Sequence, residues 1–179
     1  MKFAKLGFET KEGLSIANYS EGWSMEYGEG GSYHCDLLYK GKVVCDVTEE
    51  GNGGPLNYWI RDEKLREEVG KATVEFLKRN NEDYGPNTKY EFCKNITTAS
   101  ELEYSSLIND LLDEFQNRKT ASKYLKQGYT CVAVIKQDLS NRVIAGKKTV
   151  EEIEKYIKDK QIPGTVTIYD QVTVKNKTF

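Results

Sequence analysis

Side chains suited to covalent chemistry are few in this 179-residue chain: four cysteines, Cys35, Cys45, Cys93 and Cys131, and one histidine, His34. A thiol or hydroxyl nucleophile needs a base beside it, usually an imidazole. His34 is the only imidazole available, and it adjoins Cys35 in a segment that reads as a strand. Neighbouring strand residues point to opposite faces, so these two do not form a dyad. Cys93 or Cys131 would reach His34 only through the tertiary fold. The cysteines form no C-x-x-C pair, which argues against a structural zinc site. Free thiols packed as small apolar groups are expected. No catalytic residue, metal ligand or cofactor is assigned.

Carboxylates offer a second kind of chemistry. Asp110, Asp113 and Glu114 share a helical neighbourhood, as do Glu151, Glu152 and Glu154, and such groups run acid-base reactions or hold hard cations. The same spacing is ordinary on solvated helix faces, and Glu151 and Glu152 suit a first turn, where the helix dipole favours negative charge. The basic residues Lys64, Arg66, Lys71, Lys78 and Arg79, with Arg118, Lys119, Lys123 and Lys126, could form a strip for contact with a nucleic-acid backbone. Lysines in a helix's last turn also answer the dipole.

The segment from Glu49 to Trp59, EEGNGGPLNYW, is the most informative stretch. Its three glycines in four positions permit positive φ and let backbone N–H groups converge on an anion or another chain. It matches neither phosphate-binding pattern: no Lys-Ser/Thr pair follows, and no G-x-G-x-x-G opens a helix. A plain hairpin connection with an Asn-Gly turn remains one reading. The other is a binding loop, with Glu50, Gly51, Asn52, Gly53 and Gly54 followed by Asn57, Tyr58 and Trp59, amphipathic anchors of the kind enriched at interfaces.

The elements that must position this segment read as α+β. Residues 13–20, 23–28, 32–39 and 42–47 are short runs rich in aromatic and β-branched residues, expected as an antiparallel meander. Tyr33, Cys35 and Leu37, then Val43, Cys45 and Val47, must share a face. That parity favours a three-residue turn with Gly41 left-handed, and one such register sets Cys35 opposite Cys45. LNYWI (56–60) is a further strand. Asp62 caps a helix to about Asn80 with Leu65, Val69, Ala72, Phe76 and Leu77 on one face. The loop at 80–88 is the expected boundary between a 1–80 portion and an 81–179 portion of one compact unit. Residues 90–96 suggest a short strand. Ser100 and Glu103 suggest a capping box opening the longest helix, with Leu102, Leu107, Ile108, Leu111, Leu112 and Phe115 apolar, continuing through Leu125 to a stop at Gly128. YTCVAVIKQ (129–137) reads as a strand buried on both faces. Thr149 with Glu152 caps a helix bearing Ile153, Tyr156 and Ile157, and 165–174 returns as one or two strands. The second half is thus helix, strand, helix, strand.

Bulk properties narrow the class. Lys and Arg total 26 against 28 Asp and Glu, a formal charge of -2, so no net field draws in DNA or an anionic membrane. No apolar run approaches the ~20 residues of a spanning helix, and the N-terminus lacks a signal-peptide core. A cytosolic location without membrane attachment is expected.

The succession YHCDLLYKGKVVCDVTEEGNGGPLNYW, an amphipathic helix, and LINDLLDEFQNRKTASKYLKQGYTCVAVIK resembles a group of small proteins of bacteriophages and mobile elements. Their shared turn, D/E-G-x-G-G followed by Asn and an aromatic, is here Glu50 to Gly54 with Asn57 and Tyr58; Glu stands where Asp is commoner, and Pro55 follows the turn. Within that group the likeness points to anti-CRISPR proteins directed against the type II nuclease Cas9. It implies a non-enzymatic, stoichiometric inhibitor whose partner is Cas9 or its guide RNA complex, with weak DNA contact allowed. A nucleic-acid-binding accessory protein of a phage or mobile element is the alternative.

Overall fold

The structure is a computed structural model, and it describes residues 8–23, 31–50, 56–80, 84, 88, 91–94, 96–136 and 141–175. Four antiparallel strands form the first sheet in the order β1 (Leu14–Trp23), β2 (Gly31–Tyr39), β3 (Lys42–Glu49), β4 (Asn57–Tyr58). The expected α+β class with an N-terminal antiparallel sheet is what the chain adopts. Residues 14–20 and Trp23 belong to one strand, β1, with Gly13 just before it; residues 24–28 of the expected second strand lie outside the described residues.

The β2–β3 hairpin meets the parity requirement by a different device. Tyr39 pairs with Lys42 across a two-residue turn in which Lys40 (φ 50°) and Gly41 (φ 73°) are both left-handed, the geometry that matches the right-handed strand twist. The missing residue is supplied by a bulge: Leu38 pairs with Val43, Leu37 with Cys45, and Val44 is the extra residue. Cys45 therefore faces Leu37 and Cys35 faces Val47, not each other, and all four are buried. Val43, on the turn side of the bulge, is 57% exposed instead of joining the core. A second bulge interrupts β1 between Ala17 and Ser20, with Asn18 at φ 52°.

Asp62 caps α1 (Glu63–Asn80), its Oδ1 accepting the Leu65 N–H at 2.9 Å. Val69, Ala72, Phe76 and Leu77 are buried as the spacing predicts, and Leu65 is half-buried. The expected strand at 90–96 is instead one helical turn, α2 (Glu91–Lys94), which buries Cys93. β propensity expresses itself only where a neighbouring strand takes up the hydrogen bonds, and both sheets are complete without this segment.

The longest helix, α3 (Glu101–Lys126), opens with the Ser100 N–H donating to Glu103 Oε2 at 2.8 Å. It closes at Gly128 in a Schellman motif: the Gly128 N–H bonds to Leu125 O and the Tyr129 N–H to Tyr124 O. Leu107, Ile108 and Leu111 are buried, but Leu102 is 54% exposed while Glu103 is 2% exposed. The cap explains this inversion, since Glu103 turns inward to hold Ser100.

The chain divides into two compact units between Leu112 and Asp113, inside α3. The second unit's sheet has β5 (Cys131–Lys136) at its centre, flanked by β6 (Asn141–Gly146) and β7 (Thr165–Asp170), all antiparallel. Burial of β5 on both faces holds. Val132 and Val134 pack with Ala121, Leu125 and Tyr169 on one side. Cys131, Ala133 and Ile135 pack with Ile153 and Ile157 of α4 (Val150–Asp159) on the other. Both halves of the Thr149–Glu152 capping box are formed. Strand β6 was not foreseen. After β7 the chain turns into α5 (Gln171–Lys175) instead of a further strand, because Asp170 Oδ1 accepts from the Thr173 N–H (2.6 Å) and hydroxyl (2.8 Å).

Candidate functional site

Of the expected binding residues, Gly51, Asn52, Gly53 and Gly54 lie outside the described residues. Glu50, Asn57, Tyr58 and Trp59 are described and come together at β4. Asn57 Nδ2 donates to Glu50 Oε1 at 3.5 Å. β4 is held by pairing of Val47 with Tyr58 and of Thr48 with Asn57, which sends Tyr58 inward and leaves the chain to turn at Trp59.

Trp59 is the centre of the site. It is 66% exposed, yet both its backbone and its ring are held. Its N–H donates to the Cys45 thiol sulfur at 3.0 Å, while that thiol donates to Asp46 O at 3.0 Å. Cys45 was expected to be only a small apolar filler; it also pins the backbone. The Arg66 guanidinium lies 4.8 Å from the indole ring centroid, a cation–π distance. Arg66 is itself immobilised, with Nε and Nη2 donating to Ile60 O at 3.2 and 2.8 Å and Nη1 paired with Glu63 at 3.1 Å.

Behind Trp59, Tyr58 and Tyr104 lie with ring centroids 5.0 Å apart, and the Tyr104 hydroxyl donates to Arg66 O at 3.3 Å. Burial, with Tyr58 nearby, pushes the Tyr104 phenol up to about 12, and burial raises Tyr58 as well; both stay neutral donors at ordinary pH. The side chains enclose a cleft of about 350 Å³, with Leu56 and Ile60 on one wall and Ser100, Glu101 and Tyr104 on the other. Aromatic faces, a guanidinium and a carboxylate are groups that bind.

Arg66, Glu101 and Tyr104 were not foreseen as part of the site. Arg66 was legible as a basic residue seven positions after Trp59, but its partner was not.

The other candidate groups separate. His34 is half-exposed and Cys35 fully buried, on opposite faces as strand parity requires. Burial pushes the Cys35 thiol up to about 12, so it is not a poised nucleophile. Asp113 pairs with Lys136. Glu114 and Arg118, expected on solvated faces, are instead 6% and 4% exposed and paired at 2.5 Å, with the Tyr169 hydroxyl donating to Glu114 at 2.7 Å. Arg118 therefore leaves the basic strip. Of the strip's other members, Lys71 pairs with Glu67 and Arg79 makes a two-pronged pair with Glu12. Among the described residues no helix is long and apolar enough to cross a membrane. No protein-family model, no curated protein and no solved structure matches the chain.

Proposed function

We propose that the chain acts without catalysis, by stoichiometric binding of a macromolecular partner through the face that Glu50, Asn57, Tyr58 and Trp59 present. The observation that carries this reading is Trp59, two-thirds exposed while its backbone and ring are both held. A large aromatic surface presented in a fixed conformation loses little entropy on association, which is what an interface anchor requires. The sequence resemblance carried by Glu50 to Gly54, Asn57 and Tyr58 points to the type II nuclease Cas9 or its guide RNA complex as the partner, and to inhibition of target cleavage as the consequence.

The test is cleavage of a matched target by several Cas9 orthologues with the purified chain in molar excess. Inhibition is expected from one or more. Trp59→Ala should weaken it by roughly 30-fold or more, the loss of a hot spot worth about 2 kcal/mol, while the melting temperature stays within a few degrees. Unchanged cleavage by every orthologue removes the nuclease as partner, and full inhibition by Trp59→Ala removes this face as the site. Salt-dependent retardation of DNA by the chain alone would favour the accessory-protein alternative.

A further inference from the structure

The polar face of the first sheet gathers His34, Asp36 and Asp46. His34 and Asp36 stand two apart on β2 and so share a face, and Asp36 pairs directly with Asp46 on β3. One ligand atom from each lies within 4.8 Å of the others, with His34 Nε2 4.0 Å from Asp36 Oδ1. That distance is too long for a hydrogen bond, and two carboxylates placed opposite each other across strands repel. Among the described residues no lysine or arginine is paired with either.

Asp36 is only 8% exposed. Its single side-chain donor among the described residues is Asn18 Nδ2, 2.5 Å from Oδ2. The second oxygen, Oδ1, faces His34 Nε2 at 4.0 Å and keeps some contact with solvent. A carboxylate this buried is costly unless positive charge completes its surroundings. The supports around the cluster are formed. The β1 bulge and the left-handed Asn18 carry that amide onto Asp36, and His34 Nδ1 lies 3.4 Å from Thr48 Oγ1, its cross-strand neighbour. With Nδ1 donating there, the lone pair of Nε2 faces the carboxylates, the arrangement that orients a metal-binding imidazole.

We propose that His34 Nε2, Asp36 Oδ1 and a carboxylate oxygen of Asp46 bind one divalent first-row cation of the zinc type. One imidazole and two carboxylates suit such a cation better than Mg²⁺ or Ca²⁺, which take oxygen donors. Ligand atoms around tetrahedral zinc stand about 3.3 Å apart, so the cluster closes by about 1 Å on binding. Asp46 is exposed and His34 half-exposed, and their side chains have room to make that movement. The ion ties β2 to β3 and removes the Asp36–Asp46 repulsion. Cys35 and Cys45, alternating with these residues along the strands, face the buried side and take no part.

The sole histidine makes the test direct: its imidazole protons are followed by NMR as Zn²⁺ is added to the full chain under reducing conditions. A saturable shift complete at one equivalent is expected, with a rise in melting temperature that Mg²⁺ at the same concentration does not give. Asp46→Asn, which alters an exposed side chain, should weaken Zn²⁺ at least about tenfold, and His34→Gln should do the same by calorimetry. Imidazole signals that do not move in excess Zn²⁺, or undiminished affinity in both variants, would overturn the site.

Discussion

The two sheets use the same alternation for opposite ends. In the first, one face of β2 and β3 buries Cys35, Leu37, Cys45 and Val47, and the other carries His34, Asp36, Asp46 and Thr48. In the second, β5 is buried on both sides, between Ala121 and Leu125 of α3 on one and α4 on the other. Both faces of β5 are taken up by apolar packing, and the buried Glu114–Arg118 pair serves the fold. The first sheet carries polar side chains on its other face, with Asp46 exposed and His34 half-exposed, where donors can converge, and beside it stands the exposed Trp59. Function should therefore concentrate in the first unit and the costliest charged pair in the second.

The sharpest way to break this comparison is at Arg118. Replacing it with Leu leaves Glu114 buried with the Tyr169 hydroxyl as its remaining partner. Loss of one member of such a pair costs about 3–5 kcal/mol, read as a fall in urea midpoint. Burial, reinforced by Glu114, raises the Tyr169 phenol well above its usual range, so it remains a donor. Adding Glu114→Gln removes the lone charge and keeps an acceptor for Tyr169, and most of the loss should return. A cost below about 1 kcal/mol for Arg118→Leu would mean that the pair is solvated, as on exposed helix faces, and the distinction between the sheets would fall.

What the sequence disclosed follows the same division. β5 was legible because a continuous apolar run has one plausible home, and α4 because Thr149 and Glu152 sit at capping-box spacing. The hairpin was legible in its faces but not in its turn. Parity along β2 and β3 demands an odd residue somewhere, and whether turn or bulge supplies it depends on the twist-matching preference of the two-residue turn, which side-chain pattern does not carry. Glu114 and Arg118 stand one helical turn apart, but Tyr169 is 55 positions from Glu114 in sequence, and only the fold shows that it reaches the pair. The site was half legible: Tyr58 and Trp59 stood out by type, whereas Arg66 and Tyr104 enter through α1 and α3. The candidate cation cluster was invisible because Asp46 joins His34 and Asp36 only through the β2–β3 register.

A smaller effect, at Cys35 of the first sheet, is read through pH. Burial, with Asp36 adjacent, pushes the Cys35 thiol from its usual 9.0 up to about 12. Its folded pKa is raised, so the stability tied to its neutral form is complete below pH 9 and is lost as pH rises toward 12. Each pH unit in that window removes about 1.4 kcal/mol through this group. Cys45 and Cys131 are raised by burial in the same direction. Cys35→Ala, followed by urea unfolding under reductant between pH 9 and 10.5, should therefore flatten the alkaline decline by about 1 kcal/mol per unit without abolishing it. An identical slope in the variant would place Cys35 in contact with water.

The smallest effect bears on the polar face of the first sheet. With metal removed by chelator, Asp46→Asn should stabilise the chain by about 0.2–1 kcal/mol, because it ends the repulsion from Asp36 across the strand pair. The gain should shrink in 1 M salt, where charges at the surface are screened within about 3 Å. Zn²⁺ should reverse the sign, since the parent gains a ligand-bound state that the variant has lost. That reversal is the informative result: simple like-charge strain predicts the stabilisation and its salt dependence, but only a cation held between the carboxylates predicts that the same substitution turns from favourable to unfavourable when the ion is supplied.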